Sequence, residues 1–263
     1  MIQVKRLGHA TFATPDLERI LDYWTRIVGL TVVAREGDRA FLATKFGEEA
    51  IAVEKGDSGN LLRVSFQVAP GSDLGDVQKA LAKDGVAAEP RSDISPGVAK
   101  AIAFTDPKGT LVEIYADYKF AKRDTAEQGI MPQKFGHIAS RHPDVQKVTG
   151  FYTDVLGFKV RAREHIDRAL AGVTLDLVYL DLGGTGIELI KYGGPVEAAP
   201  TKEHLGYRMM ALEVADMQST VDYLKTKGVA ITWGPRVREG EYARAEIRDP
   251  DGHGIELRHW FRS

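Results

Sequence analysis

The feature that most constrains this chain is a phrase it writes twice. Residues 7–30 read LGHATFATPDLERILDYWTRIVGL, and residues 135–158 read FGHIASRHPDVQKVTGFYTDVLGF. Gly8-His9, Pro15-Asp16 and Gly29 return as Gly136-His137, Pro143-Asp144 and Gly157, each 128 positions later (8 to 136, 15 to 143, 29 to 157) and without a gap. A repeat at fixed offset means that one structural unit is built and then built again. In 263 residues this predicts two domains of ordinary size, 1–120 and 134–263. The 43% apolar content lets each bury its own core. Between them, residues 117–134 are polar and weakly patterned, as a linker would be.

Within each phrase the logic is strand, helix, glycine stop. Thr14 is placed to cap and Pro15 suits a first helical position. Leu17, Ile20, Leu21, Trp24, Ile27 and Val28 then recur at helical spacing before Gly29. Strand-like runs follow at 30–35, 40–44 and 50–54. The pattern then restarts: a strand at 63–68, a helix marked by Leu74, Val77 and Leu81 and closed by Gly85, and strands at 86–89, 99–104 and 111–115. The last two are joined by the turn signal Asp106-Pro107-Lys108-Gly109. The second half repeats the plan, with strands at 137–140, 158–163, 175–181, 186–191 and 208–214, a helix carrying Met217, Val221 and Leu224, and a final hairpin at Asp249-Pro250-Asp251-Gly252. Each half is therefore two βαβββ units, which makes the fold class α+β. The insertion around His165 to Val173 is expected to form a loop over a site.

Composition removes several functions. A net charge of −2 without a basic run argues against nucleic acid or an anionic membrane as partner. The absence of cysteine removes disulfides, thiolate nucleophiles and cysteine-ligated zinc. Strand-like sequence begins at Ile2 with no signal peptide and no membrane-length apolar run, so a cytoplasmic protein is expected.

Paired βαβββ units that open with Gly-His and Pro-Asp, end their first helix at Gly-Phe or Gly-Leu, and close with Asp-Pro-x-Gly-x-x-x-Glu resemble the vicinal oxygen chelate superfamily. That group includes glyoxalases, resistance proteins and extradiol dioxygenases. Four units in two domains look most like the two-domain extradiol dioxygenases. The resemblance implies open mixed β-barrels, a non-catalytic N-terminal domain, a metal site in the C-terminal one, and a tendency to form homo-oligomers. It also implies a small aromatic substrate, catecholic or otherwise carrying vicinal oxygens, chelated to Fe(II) or Mn(II).

Carried over residue by residue, the metal positions are His137, Glu188, Met209 and Glu256. The extradiol triad is His, His, Glu with open positions for substrate and oxygen, and Met209 stands where the second His belongs. His204 lies upstream of that strand and cannot take the slot without a bulge. Glu188 is the natural substitute, and a His137, Glu188, Glu256 set would suit Mn(II), Fe(II) or Mg(II) more than zinc. The same residues could instead form a hydrogen-bonded polar cavity without metal. In the first half the matching positions hold His9, Ala52, Arg63 and Glu113, where Arg63 is expected to pair with Glu113.

For proton transfer the candidates are Glu246, ten residues before Glu256, with Tyr242 and Tyr179. Met209, Arg258, Trp260 and His165 are the candidates for contacting substrate, Arg258 by holding an anionic group. His142 is expected at the surface, His253 in a solvated turn, and His259 on the face opposite Glu256. Two further readings compete with ring cleavage. One is a metal-dependent isomerase or lyase, in which Glu188 or Glu246 moves the proton. The other is a metal-free protein that sequesters a small aromatic ligand.

Overall fold

The computed structural model describes residues 2–44, 46–47, 49–95, 97–119, 128–170, 173–193 and 207–261. His204 and part of the expected linker lie outside them. The first half runs β1 (Val4–Thr14), α1 (Leu17–Asp22, continued by a π-helical turn Tyr23–Val28), β2 (Thr31–Glu36), β3 (Arg39–Ala43), β4 (Glu49–Lys55), β5 (Leu61–Val68), α2 (Leu74–Lys83), β6 (Glu89–Ser95), β7 (Val98–Thr105) and β8 (Leu111–Tyr115). The second half repeats it as β9 (Lys134–Arg141), α3 (Val145–Gly150, continued by a π-helical turn Phe151–Val155), β10 (Lys159–Leu170), β11 (Val173–Leu182), β12 (Thr185–Gly193), β13 (Tyr207–Glu213), α4 (Met217–Thr226), β14 (Trp233–Arg238), β15 (Tyr242–Arg248) and β16 (Gly254–Trp260).

The strands form two eight-stranded mixed sheets of identical order, β2-β3-β4-β1-β5-β8-β7-β6 and β10-β11-β12-β9-β13-β16-β15-β14. Four βαβββ modules, two per sheet, are thus the architecture, and the α+β expectation holds. Three local details differ from it. The helix cap is Asp16 rather than Thr14: its Oδ1 accepts the Arg19 N–H at 3.0 Å, as Asp144 accepts that of Lys147 at 2.9 Å. A carboxylate at this position satisfies an otherwise orphaned N–H and also favours the positive helix end. The strand expected at 86–89 begins only at Glu89 and runs to Ser95. The insertion after residue 164 is strand rather than loop, because His165 and Ile166 stay in antiparallel register with Asp176 and Leu175, lengthening the β10–β11 hairpin.

Packing groups the chain differently from the sheets. One compact unit holds Met1–Thr11, Leu61–Lys119 and His137–Arg208; the other holds Phe12–Asn60, Phe120–Gly136 and Met209–Ser263. In the first, Phe66 packs edge-on against Tyr152 and Phe158, the Tyr152 hydroxyl donates to Asp106 at 3.1 Å, and the Ile2 N–H donates to the Val155 carbonyl. In the second, Phe12 lies on the His253 ring, Arg19 reaches Asp251 at 2.6 Å, and the Tyr23 and Tyr223 hydroxyls donate to the carbonyls of Arg248 and Arg26. The Ile130 and Met131 N–H groups, from the expected linker, close the carbonyls of Ile27 and Val28 at the end of the first helix. Among the described residues no helix is long and apolar enough to cross a membrane.

Candidate metal and substrate site

In the first compact unit, β12 runs parallel to β9 with Gly186 opposite His137 and Glu188 opposite Ala139. Alternation then puts the His137 and Glu188 side chains on one face. Their Nε2 and Oε2 atoms are 3.6 Å apart, and His137 Nε2 is buried with no hydrogen-bond partner among the described residues. Tyr179 stands directly opposite Glu188 across the antiparallel β11–β12 pair, which makes the two side chains neighbours. His165 belongs to the other face: it is paired with Asp176, three residues from Tyr179. Its ring is exposed and held by Asp176 at 2.6 Å and Asp167 at 3.1 Å, and those hydrogen bonds raise its pKa. A histidine so engaged points away from the face that carries Glu188.

In the second unit, β13 and β16 are parallel with Ala211 opposite Glu256, so Met209 shares the Glu256 face. Glu256 is buried at 2% exposure. Arg258, two residues on and therefore on the same face, donates Nε–H to Glu256 Oε1 at 2.7 Å, with its Nη2 at 2.5 Å. Arg244 lies 3.8 Å from the second oxygen. Glu246 is directly opposite Glu256, and Tyr242 is opposite Trp260 with their ring centroids 5.5 Å apart. The candidates Met209, Tyr242, Glu246, Glu256, Arg258 and Trp260 thus share one sheet face. His259 takes the other face, as alternation predicts, and there its Nδ1 accepts the Met217 N–H at the start of α4.

Whether these residues suit a divalent cation depends on the donor set. His137 and Glu188 fit, since a buried imidazole nitrogen without a partner beside a carboxylate is an N,O pair suited to Mn(II) or Fe(II). Glu256 differs, because its charge is already met by Arg258. Among the described residues no three His, Cys, Asp or Glu side chains gather closely enough to hold a metal ion. The first half solves its own final carboxylate the same way: Arg63 donates Nε–H to Glu113 at 3.1 Å, as expected, and a second Arg63 nitrogen donates to the Ile94 carbonyl. His9 is fully buried beside that pair, near Ser95 and the Tyr115 ring. Desolvation first, then the Arg63 charge, holds its pKa well below the usual value.

Two histidines sit where sequence did not put them. His142 is buried, with Nε2 2.6 Å from Ser140 Oγ, and desolvation, assisted by Lys108, pulls its pKa down to about 3. Lys108 is itself half-buried, and desolvation lowers its pKa to about 8. His253 is also buried, with Nδ1 2.9 Å from Asp249 and its ring centroid 4.6 Å from that of Phe12. The missed residues with most bearing on the site are Arg244, Arg236 and Trp233. Arg244 had a sequence signal, since it lies two residues before Glu246 and alternation puts both on one face, whereas Trp233 and Arg236 lie on β14 and are brought there by a register shift.

The sheet order, the module repeat and the final Asp-Pro-x-Gly-x-x-x-Glu hairpins coincide with one family model, the Glyoxalase/Bleomycin resistance protein/Dioxygenase superfamily, which matches residues 6–114 and 134–257. The chain belongs to this superfamily. A manganese-dependent 2,3-dihydroxybiphenyl 1,2-dioxygenase of Geobacillus genomosp. 3 is 24% identical over 97% of this chain and 85% of the relative. A biphenyl-2,3-diol 1,2-dioxygenase of Paraburkholderia xenovorans (strain LB400) is 27% identical, but over 60% of this chain and only 57% of its own length. Among solved structures, the 2,3-dioxygenase LapB from Pseudomonas sp. KL28 superposes with a TM-score of 0.81 at 18% identity, covering 100% of this chain and 94% of its own. The Mn(II)-bound glyoxalase from Novosphingobium aromaticivorans gives 0.75 at 22% identity, covering 98% and 83%. At such identity these structures establish the fold alone.

Proposed function

We propose that this superfamily member is an extradiol-dioxygenase-like metalloprotein that takes a small catecholic or other vicinal-oxygen substrate, with Mn(II) or Fe(II) at His137 and Glu188. The observation that carries the reading is the buried, unpartnered His137 Nε2 lying 3.6 Å from Glu188 Oε2. The curated relatives above, named as dioxygenases acting on vicinal diols of aromatic rings, support the substrate class. The resemblance supplies Glu256 as third ligand, and in this chain that role would require its release from Arg258.

When bound, the cation supplies a Lewis acid at which two vicinal oxygens can be chelated. The chain's own residues do the rest. Glu188 sets a carboxylate 3.6 Å from the His137 ring nitrogen. Tyr179, opposite Glu188, and Glu246, opposite Glu256, are the groups able to hold or move a proton beside the two carboxylates. Tyr242 and Trp260 offer ring faces for an aromatic substrate, and Met209 contributes an apolar surface in place of a ligand.

The test is metal content after reconstitution with Mn(II) or Fe(II), together with dioxygen uptake on a catechol panel, for the wild type, His137→Ala and Glu188→Ala. Stoichiometric metal that disappears in both variants, with uptake by the wild type only, is expected. Failure of the wild type to retain any metal would overturn the reading. That result would favour a second one, a metal-free protein that sequesters an aromatic ligand, for which the Glu256–Arg258 pair is the specific observation.

A further inference from the structure

The Glu256 face of β14, β15 and β16 carries an arrangement that chelation of vicinal oxygens does not require. Arg236 is opposite Arg244, and Arg244 is opposite Arg258, so three guanidinium groups form one cross-strand row. Like charges placed directly opposite one another are unfavourable. The row is built deliberately: a register shift between Trp233 and Arg236 brings both side chains to one face, where strict alternation would separate them. Arg236 and Arg244 both lie over the Trp233 ring, at 5.2 and 4.8 Å. Arg244 and Arg258 flank the Tyr242 ring at 6.0 and 5.2 Å, and Arg258 also lies 5.2 Å from Trp260. Guanidinium and aromatic groups alternate without interruption along six side chains.

A guanidinium over an aromatic ring keeps N–H donors available in the fork that a carboxylate matches. Within the row, Glu256 is the carboxylate at ion-pair distance, close to Arg258 and 3.8 Å from Arg244. Arg236 makes no ion pair among the described residues. Three cations share the face with two carboxylates, Glu256 and Glu246 opposite it, which leaves a net positive charge for another anion, and the rings between them offer planar faces to what carries it. We infer that this row is a recognition site for the carboxylate of an aromatic acid, with Arg244 and Arg236 as its specificity-determining residues. The inference deepens the reading above by naming the substrate class, an aromatic acid, and rests on that reading for turnover but not for binding.

Equilibrium binding of 3,4-dihydroxybenzoate and of catechol to the purified protein under nitrogen, followed by tryptophan fluorescence or calorimetry, tests it without any dioxygen being consumed. The acid should bind at least ten-fold more tightly than catechol. Arg244→Gln should abolish that ratio, and Arg236→Gln should reduce it several-fold. Arg244→Lys, which keeps the charge but loses the fork, should retain part of it and serves as the folded control, with melting curves recorded for every variant. Equal affinity of the wild type for acid and catechol would overturn the inference. So would an unchanged ratio in a folded Arg244→Gln protein. A protein that prefers the acid but retains no metal would leave this site standing and sink the metalloenzyme reading alone.

Discussion

Glu256 is among the most buried charged groups of this chain, and Arg258 is what makes that burial tolerable. Removing one partner of a buried ion pair leaves the other desolvated and uncompensated, at a cost of about 3–5 kcal/mol. Arg258→Met should therefore lower stability at pH 7 by roughly 3 kcal/mol, since Arg244 remains at 3.8 Å to offset a part. The double variant Arg258→Met/Glu256→Gln should recover most of the loss, and urea midpoints for the four proteins of the cycle read it directly. His142 gives the second residue-scale expectation. Its pKa falls to about 3 in the folded state, so below its ordinary value the unfolded chain binds the proton and the folded chain does not. Stability is thus whole above about pH 6.5 and declines as pH falls toward 3, by about 2 kcal/mol between pH 7 and pH 5. His142→Gln should be less acid-sensitive by that amount in paired urea melts at the two pH values. Neither environment is legible from sequence. His142 follows a strand and precedes a Pro-Asp helix start, which reads as surface until the element that buries it is known. The Glu256–Arg258 pair was written in adjacent alternating positions, and Arg258 was legible there only as a candidate for an anion.

At the scale of elements the sequence was a better guide, because strand alternation, helical spacing and glycine stops act locally. The four modules, their helices and the closing hairpins are found where periodicity and turn residues place them, although the strand expected at 86–89 begins only at Glu89 and runs to Ser95. The misjudged element, the β10–β11 extension, was read as a loop because its alternation is polar. Those polar positions pair across the hairpin, as His165 does with Asp176. Glycine stops provide a graded test. Gly29 and Gly85 both sit at positive φ, +84° and +74°, where a side chain costs roughly 1–2 kcal/mol. They differ in surroundings: a Cβ at Gly85 meets nothing within 4 Å, while one at Gly29 would lie 2.6 Å from the Gln128 carbonyl oxygen and 2.8 Å from the Met131 nitrogen. Gly85→Ala should lower stability by about 1 kcal/mol. Gly29→Ala should lower it by clearly more, since the segment docked on the helix end must also shift. A calorimetric melt of the two variants side by side checks the order, and equal losses would remove the steric part of the argument.

At the scale of the whole molecule, the repeat describes ancestry of sequence better than it describes packing. Each sheet follows one half of the chain, yet each compact unit combines a helix-bearing module of one half with a helix-bearing module of the other. Tyr152 from the second repeat donates to Asp106 in the hairpin of the first half. Arg19 from the first repeat reaches Asp251 in the hairpin of the second. Nothing in a one-dimensional pattern indicates this exchange, because both partners look like ordinary members of their own half. It has a consequence for fragments. Residues 134–263 made alone would keep their strand order but lose Phe66 and Asp106 against Tyr152, and Phe12 and Arg19 against the final hairpin. Apolar surface normally covered on both sides would be exposed, which marks a chain for association or loose packing. The fragment should bind a hydrophobic dye and melt with little cooperativity. Mixed with residues 1–120, it should regain a single cooperative transition near that of the intact chain. If 134–263 alone melted as sharply as the full protein, the two halves would be independent domains and the exchange of partners would carry no stability.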